Sequence, residues 1–236
     1  MPYEPLQSLI DKRDNLVVVR DQIATILLLE LQNQQEKALA AGRDPQAWKL
    51  RIFTERPNCW GDFTSDDSGD DDASTPAIDT TPIVSVLAHK AKYPRERSLP
   101  VVEQTADALY EIHIYGCGVA HAASGGHVTA ERQAADEVLR AYTLVRNILW
   151  SGHAANLAMP GIVGDHWPDE FEAMGQPNED LDKPKYERVA AGRLQLSVSF
   201  LEFAPQYVGQ PLETLAIGVQ RRETGELYFT ANITGV

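Results

Sequence analysis

Three histidines and a cysteine lie within fifteen residues of one another: His113, Cys117, His121 and His127. Cysteine and imidazole are the usual zinc ligands, so Cys117, His121 and His127 are weighed as three-quarters of a tetrahedral site. Their spacing matches no usual ligand pair, and the Gly- and Ala-rich surroundings read equally as a loop that happens to hold histidines. Cys117 is also weighed as a nucleophile served by His113 or His121. On a strand, His113 and Cys117 share a face but stand about 13 Å apart, too far for direct proton transfer. Gly116-Cys117-Gly118 has the glycines of a phosphate loop but lacks its Gly-Lys-Ser/Thr ending. It reads instead as a strand leaving its sheet.

Charged clusters form the second group of candidates. Asp66, Asp67, Asp70, Asp71 and Asp72 supply oxygen ligands of the type calcium prefers, without the alternating Asp-x-Asp order or the later glutamate of a calcium loop. Lys90, Lys92, Arg95 and Arg97, with Tyr93 interleaved, have the chemistry to touch nucleic-acid phosphates or the acidic segments of another copy. Trp167 and Phe171, beside Asp169, Glu170 and Glu172, suggest docking anchors or a local helix pinned to the body. No catalytic set, metal site or cofactor motif is complete, so none is assigned.

The chain has 236 residues, 43% of them hydrophobic, enough to bury a core. It carries 34 acidic and 21 basic residues, a net charge of −13. Seven acids and no Lys or Arg fall in residues 60–80, and the same is true of residues 165–182. The other twenty acids almost balance the 21 bases, so a neutral framework carries two acidic inserts. The overall sign argues against a general binder of DNA or anionic membranes. No apolar run reaches the ~20 residues of a membrane span, and no signal peptide is visible. Two cysteines are too few for a disulfide framework. The cytosol is the default compartment.

The elements that must position these residues follow from periodicity. A helix is expected from Ser8 to Ala41, with Ile10, Val17, Ala24, Leu28, Leu31, Ala38 and Leu39 on one face. Leu16, Val18, Ile23, Leu27 and Leu29 widen that face, which predicts cover from its own sheet and from a neighbour. Gly42 and Asp44-Pro45 end it. Strands are expected at Lys49–Glu55, Ile83–Ala88 and Asp107–Cys117, the last half-buried. Pro94 and Pro100 place the basic stretch at an exposed hairpin tip. A second helix runs from a Thr129 cap to Trp150, with Ala134, Val138, Ala141, Tyr142, Val145, Ile148 and Leu149 inward. Residues 193–200, 215–219 and 227–230 alternate as strands, the last two as a hairpin. The fold class is α+β: one domain over residues 1–236, a mixed or antiparallel sheet packed by two long helices. Residues 57–81 form an acidic loop insertion and residues 151–190 an irregular acidic insertion.

This order, with DALYEIHIYG, AADEVLRAYTLVRNILW and GRLQLSVSFLEF at its strands and second helix, resembles the tail terminator (tail completion) proteins of long-tailed bacteriophages. The matching features are Tyr110 to Tyr115, Val145-Arg146-Asn147-Ile148-Leu149 and Phe200-Leu201-Glu202-Phe203, within a likeness spanning residues 1–55, 82–150 and 190–236. The resemblance implies a non-enzymatic virion protein of the neck, assembled in the host cytoplasm. It would form a hexameric ring that caps the tail tube, ends tube polymerisation and joins the head-side connector. Tube protein, connector and a tail sheath are the implied partners, and DNA would pass through the ring without sequence-specific binding. The two acidic inserts depart from the family pattern. They leave open a connector or adaptor that binds a partner through them. A small cytosolic enzyme using Cys117 and the nearby histidines is the remaining alternative.

Overall fold

The computed structural model describes residues 13–63, 79–95, 103–123, 126–174, 189–203, 214–220 and 227–234. Helix α1 is Asn15–Ala40, opened by Asp14, whose carboxylate accepts the Leu16 N–H at 2.7 Å. The cap explains why the helix starts seven residues after the expected Ser8: Asp14 holds extended backbone and takes an N–H that the first turn leaves unpaired. The buried stripe is Val19, Ile23, Leu27, Leu31 and Ala38. That corrects the expected face. Leu28 and Leu39 are exposed, and Val17 and Ala24 only half-buried. The middle of this helix is apolar all round, so its period cannot fix which side meets the sheet.

A 3-10 turn at Pro45–Trp48 leads into β1 (Arg51–Thr54), which runs parallel to β2 (Ile83–Lys92). β2 pairs antiparallel with β3 (Glu103–Cys117), and β3 antiparallel with β7 (Val189–Phe203). β6 (Val163–Met174) pairs with the other side of β7, giving the sheet order β1-β2-β3-β7-β6. Between β3 and β6 come a small hairpin of β4 (His121–Ala123) and β5 (Gly126–Val128), helix α2 (Ala130–Leu149) and a 3-10 stretch at Gly152–Ala158. The architecture is α+β with a five-stranded mixed sheet. Residues 12–203 form one compact unit. A second unit comprises residues 1–11 and 204–236, and in it β8 (Thr214–Gln220) and β9 (Leu227–Thr234) pair as an antiparallel hairpin.

The main core lies between the two helices and one face of the sheet. One buried cluster joins Val19, Ile23 and Leu27 of α1 and Val138, Val145 and Leu149 of α2 with Val84, Val86, Tyr110, Ile112, Ile114, Leu194, Leu196 and Phe200 of the sheet. Each such side chain removed from water contributes about 1.5–3 kcal/mol before its ordering cost. Thr129 caps α2 as expected, accepting the Arg132 N–H, and the expected inward positions are buried except Tyr142, which is half-buried. The Tyr110 hydroxyl donates to Leu16 O at 2.9 Å, and Asn15 Nδ2 donates to Leu201 O at 2.6 Å. The first bond ties the start of α1 to β3 and the second ties it to the end of β7.

Two expectations for loops need correction. Residues 163–174 are not an irregular insertion but the edge strand β6. Pro168 is tolerated there because an edge strand leaves half its N–H groups unpaired, and the register breaks on either side of it. Residues 60–63 are a 3-10 turn in which Trp60 and Phe63 are buried. With Cys59 they cover the far end of the sheet's second face, against Ile83, Tyr115, Cys117, Val189 and Ala191. That cover buries Tyr115 and Cys117 on the second face of β3, whose first face buries Tyr110, Ile112 and Ile114.

Candidate functional site

Beyond the Cys59–Phe63 turn, the second face of the sheet carries charge instead of a second helix layer. Glu111 on β3 accepts a hydrogen bond from Arg193 Nη1 on β7 at 3.0 Å, and Arg193 Nη2 donates to Glu172 on β6 at 2.7 Å. The other Glu111 oxygen lies 3.1 Å from His113 Nε2, and His89 Nδ1 of β2 is 3.6 Å from the first. A charged strip therefore crosses four strands. Glu111 and His113 are buried, and His113 Nδ1 and Arg193 Nε have no hydrogen-bond partner among the described atoms. The Glu172 hydrogen bond, with Glu111's charge beside it, raises Arg193 above the usual arginine value despite partial desolvation. The strip fixes one cation between two carboxylates and brings no nucleophile to them.

A register break at His89 turns Lys90 and Lys92 onto the same face as their partners Leu109 and Asp107. The lysines therefore lie on a strand, not at the expected hairpin tip. Together with Trp167, Asp165, Ser197 and Ser199 they line an open groove of about 400 Å³. Two candidates chosen separately, the basic pair and the tryptophan, are brought to one place. Asp107 accepts the Ser199 hydroxyl at 3.0 Å, and Asp169 accepts that of Ser197. Trp167 is 53% exposed and packs against the half-exposed Trp150, ring centroids 4.8 Å apart, with the Arg146 guanidinium over Trp150 at 4.7 Å.

Phe171 behaves differently. Its ring stacks on Tyr142 of α2 at 4.1 Å and packs on the main core. Gly192 opposite makes room: a Cβ there would stand 2.5 Å from the Phe171 ring. Phe171 pins β6 to α2 and is not a free anchor, and the segment around it is a strand rather than the local helix that was the other reading.

The remaining candidates are not gathered. Arg95 is exposed and outside the groove. Arg97 and Asp66, Asp67, Asp70, Asp71 and Asp72 lie outside the described residues. Both ends of that acidic segment meet arginines on the body: Asp62 meets Arg56 at 2.8 Å and Asp79 meets Arg51 at 3.5 Å. Among the described residues no three His, Cys, Asp or Glu side chains gather as metal ligands. Cys117 is buried in the second core cluster, while His121 and His127 are exposed on β4 and β5. Gly118 serves packing: a Cβ there would fall 2.0 Å from Ala130 O, so glycine lets α2 start directly against the end of β3.

Sequence reasoning missed the strip and the Cys59–Phe63 cover. The available signals were Glu111 inside an otherwise apolar strand, and Cys59, Trp60 and Phe63 at the head of an acidic loop. No protein-family model matches the chain, and no curated protein matches it at a significant level. Fold and site define a class only: an α+β body in which, among the described residues, helices cover one sheet face and not the other.

Proposed function

We propose that this chain is a structural ring protein of the bacteriophage neck, of the tail-terminator kind, which caps the tail tube and joins it to the head-side connector. The observation that carries the reading is the arrangement of the segments on which the resemblance rests. β3, α2 and β7 form the centre of one body, α1 and α2 cover the same sheet face, and among the described residues the opposite face is polar beyond the Cys59–Phe63 cover and no further strand pairs with β1 or β6. Free edges and an uncovered face are what a protein gains by completing itself with further copies. In this reading the copies form a closed, tail-terminator-like hexamer packed by two long helices per copy. DNA passes through its opening, and Lys90, Lys92 and the acidic segments are its contacts with DNA or with partner rings. Tail tube and connector proteins are the partners, with a sheath as a third, and the site of action is the virion.

Mass photometry of the purified chain, alone and with tail tubes, tests this. Rings of uniform copy number seated on tube ends are expected. A chain that stays monomeric in both conditions contradicts the proposal. Deleting residues 64–78, which spares the buried Phe63 and the Asp62 and Asp79 ion pairs, separates the adaptor reading, in which partner binding is lost and ordinarily weakens with salt.

A further inference from the structure

The sheet face opposite α1 and α2 is bipolar at the end away from the Cys59–Phe63 cover. The register sets two rows across it. Lys92, Asp107, Ser199 and Asp165 stand in one row, on β2, β3, β7 and β6 in turn, and Lys90, Leu109, Ser197 and Trp167 stand in the next. All eight line the open groove of about 400 Å³. Each row starts with a lysine on β2 and ends with Asp165 or Trp167 on β6, three strand spacings away, roughly 14 Å. This groove is distinct from the apolar one between α2 and β6, which Phe171 and Ala190 line.

Charge differs from one side of the rows to the other. Lys90 and Lys92 form no ion pair among the described residues, and Asp107 is the acid in their rows on the neighbouring strand. Glu55, which accepts the Ala88 N–H of β2 at 3.0 Å, is neutralised by Arg20. On the other side stand Asp165, Asp169 and Glu170, and β6 has no Lys or Arg. Arg146, over Trp150 beside Trp167, offsets one of these three. Further along the face, Glu111, Arg193 and Glu172 pair among themselves. Two lysines against one aspartate leave the β2 side positive. Three acids against one arginine leave the β6 side negative.

We propose that this face is a self-complementary contact between two copies of the chain. A two-fold axis between the copies, parallel to the strands, reverses the strand order and keeps each row opposite itself. It sets Lys92 of one copy opposite Asp165 of the other, and Lys90 opposite Trp167, and the symmetry repeats both pairs. The first is an ion pair and the second a cation on an aromatic ring. Leu109 then faces Ser197 and Asp107 faces Ser199, with room for bridging water. A two-fold axis across the strands would instead set lysine against lysine and acid against acid, which charge disfavours. Two rows on four strands make a small patch, so the dimer is weak and sensitive to concentration and salt. An isologous contact does not by itself build a ring, so the dimer stands apart from the ring reading. It gives Lys90 and Lys92 to another copy rather than to DNA.

Sedimentation velocity of the full chain from about 10 to 500 µM tests this. The wild type is expected to move toward twice the chain mass as concentration rises, and back as salt rises. Lys90→Glu/Lys92→Glu and Asp165→Lys/Asp169→Lys each oppose like charges, and each is expected to lose the dimer. Their equimolar mixture is expected to regain it, because each introduced glutamate faces an introduced lysine while the native pairs remain on the other side. A chain with all four substitutions is expected to dimerise alone. All four side chains are exposed, so the variants keep the fold, which circular dichroism checks.

A wild type that stays monomeric at the highest concentration overturns the proposal. So does a dimer that survives in both charge variants, since its contact lies elsewhere. If each variant is monomeric and the mixture is too, the lysines and acids do not face one another and the two-fold assignment falls. Rings formed alike by the wild type and both variants, with no salt-sensitive pairing, keep the ring reading and remove only this contact. A salt-sensitive dimer, rescued in the mixture and never forming rings, does the reverse.

Discussion

Glu111 and Arg193 meet at 3.0 Å across β3 and β7, on the sheet face opposite α1 and α2, and Glu111 is buried there. A buried carboxylate costs several kcal/mol to desolvate and is tolerated only with partners. Glu111 has Arg193 on one oxygen and His113 on the other. Replacing it with Gln leaves Arg193 to Glu172 alone and removes the charge beside His113. We expect Glu111→Gln to lower unfolding stability by about 2–3 kcal/mol, below the largest losses for buried pairs because Arg193 is partly exposed. A shifted urea midpoint at unchanged slope is the readout. The double variant Glu111→Leu/Arg193→Met should recover much of the loss.

Gly118→Ala and Gly152→Ala should separate cleanly. The first puts a methyl 2.0 Å from the Ala130 carbonyl, so α2 must move; a loss of about 3 kcal/mol or more is expected. The second meets no atom within 4 Å. It should be neutral or add up to about 0.5 kcal/mol by restricting the unfolded chain. Thermal unfolding followed by circular dichroism reads both.

Phe171 and Trp167 should likewise diverge. Phe171→Ala empties the space between Tyr142 and Gly192, and a loss of about 2–3 kcal/mol is expected because the ring is only partly buried. Trp167→Ala removes a ring that is half in water and should cost no more than about 1 kcal/mol. Equal losses would show that Trp167 is as much part of the core as Phe171.

Stability should be lost in alkali. Burial, with Asp62 adding to it, pushes the Cys59 thiol from 9.0 up to about 11, and burial pushes Tyr115 from 10.0 up to about 12. Both groups ionise in the unfolded chain at lower pH than in the fold. Their contribution is therefore intact below about pH 9 and fades as pH rises through 9–12. Denaturant midpoints measured from pH 7 to 11 should hold level and then fall, and Cys59→Ala should delay the fall.

The strands of clear alternation and the Thr129 cap were legible because each is written locally. The phase of α1 was not. Leu27 and Leu28 are chemically alike, and only the position of β2 and β3 decides which one is buried. β6 was hidden by its own protection. Its acids, Pro168 and paired register breaks suit an edge that must not recruit stray strands, and they also erase the period-two signal. Glu111 was hard to read as buried because its partner Arg193 is 82 residues away. The meeting of Lys90 with Trp167 was equally remote, since it depends on a single extra residue at His89.

The position of β7 also sets a clock. β6 is made before β7, yet β7 is its sole ladder partner among the described residues and the link between it and β3. While the ribosome adds the residues from Met174 to Phe203, roughly 2–6 s at ordinary speeds, α2 has only part of its sheet beneath it. The groove floored by Phe171 and Ala190 does not exist during that interval.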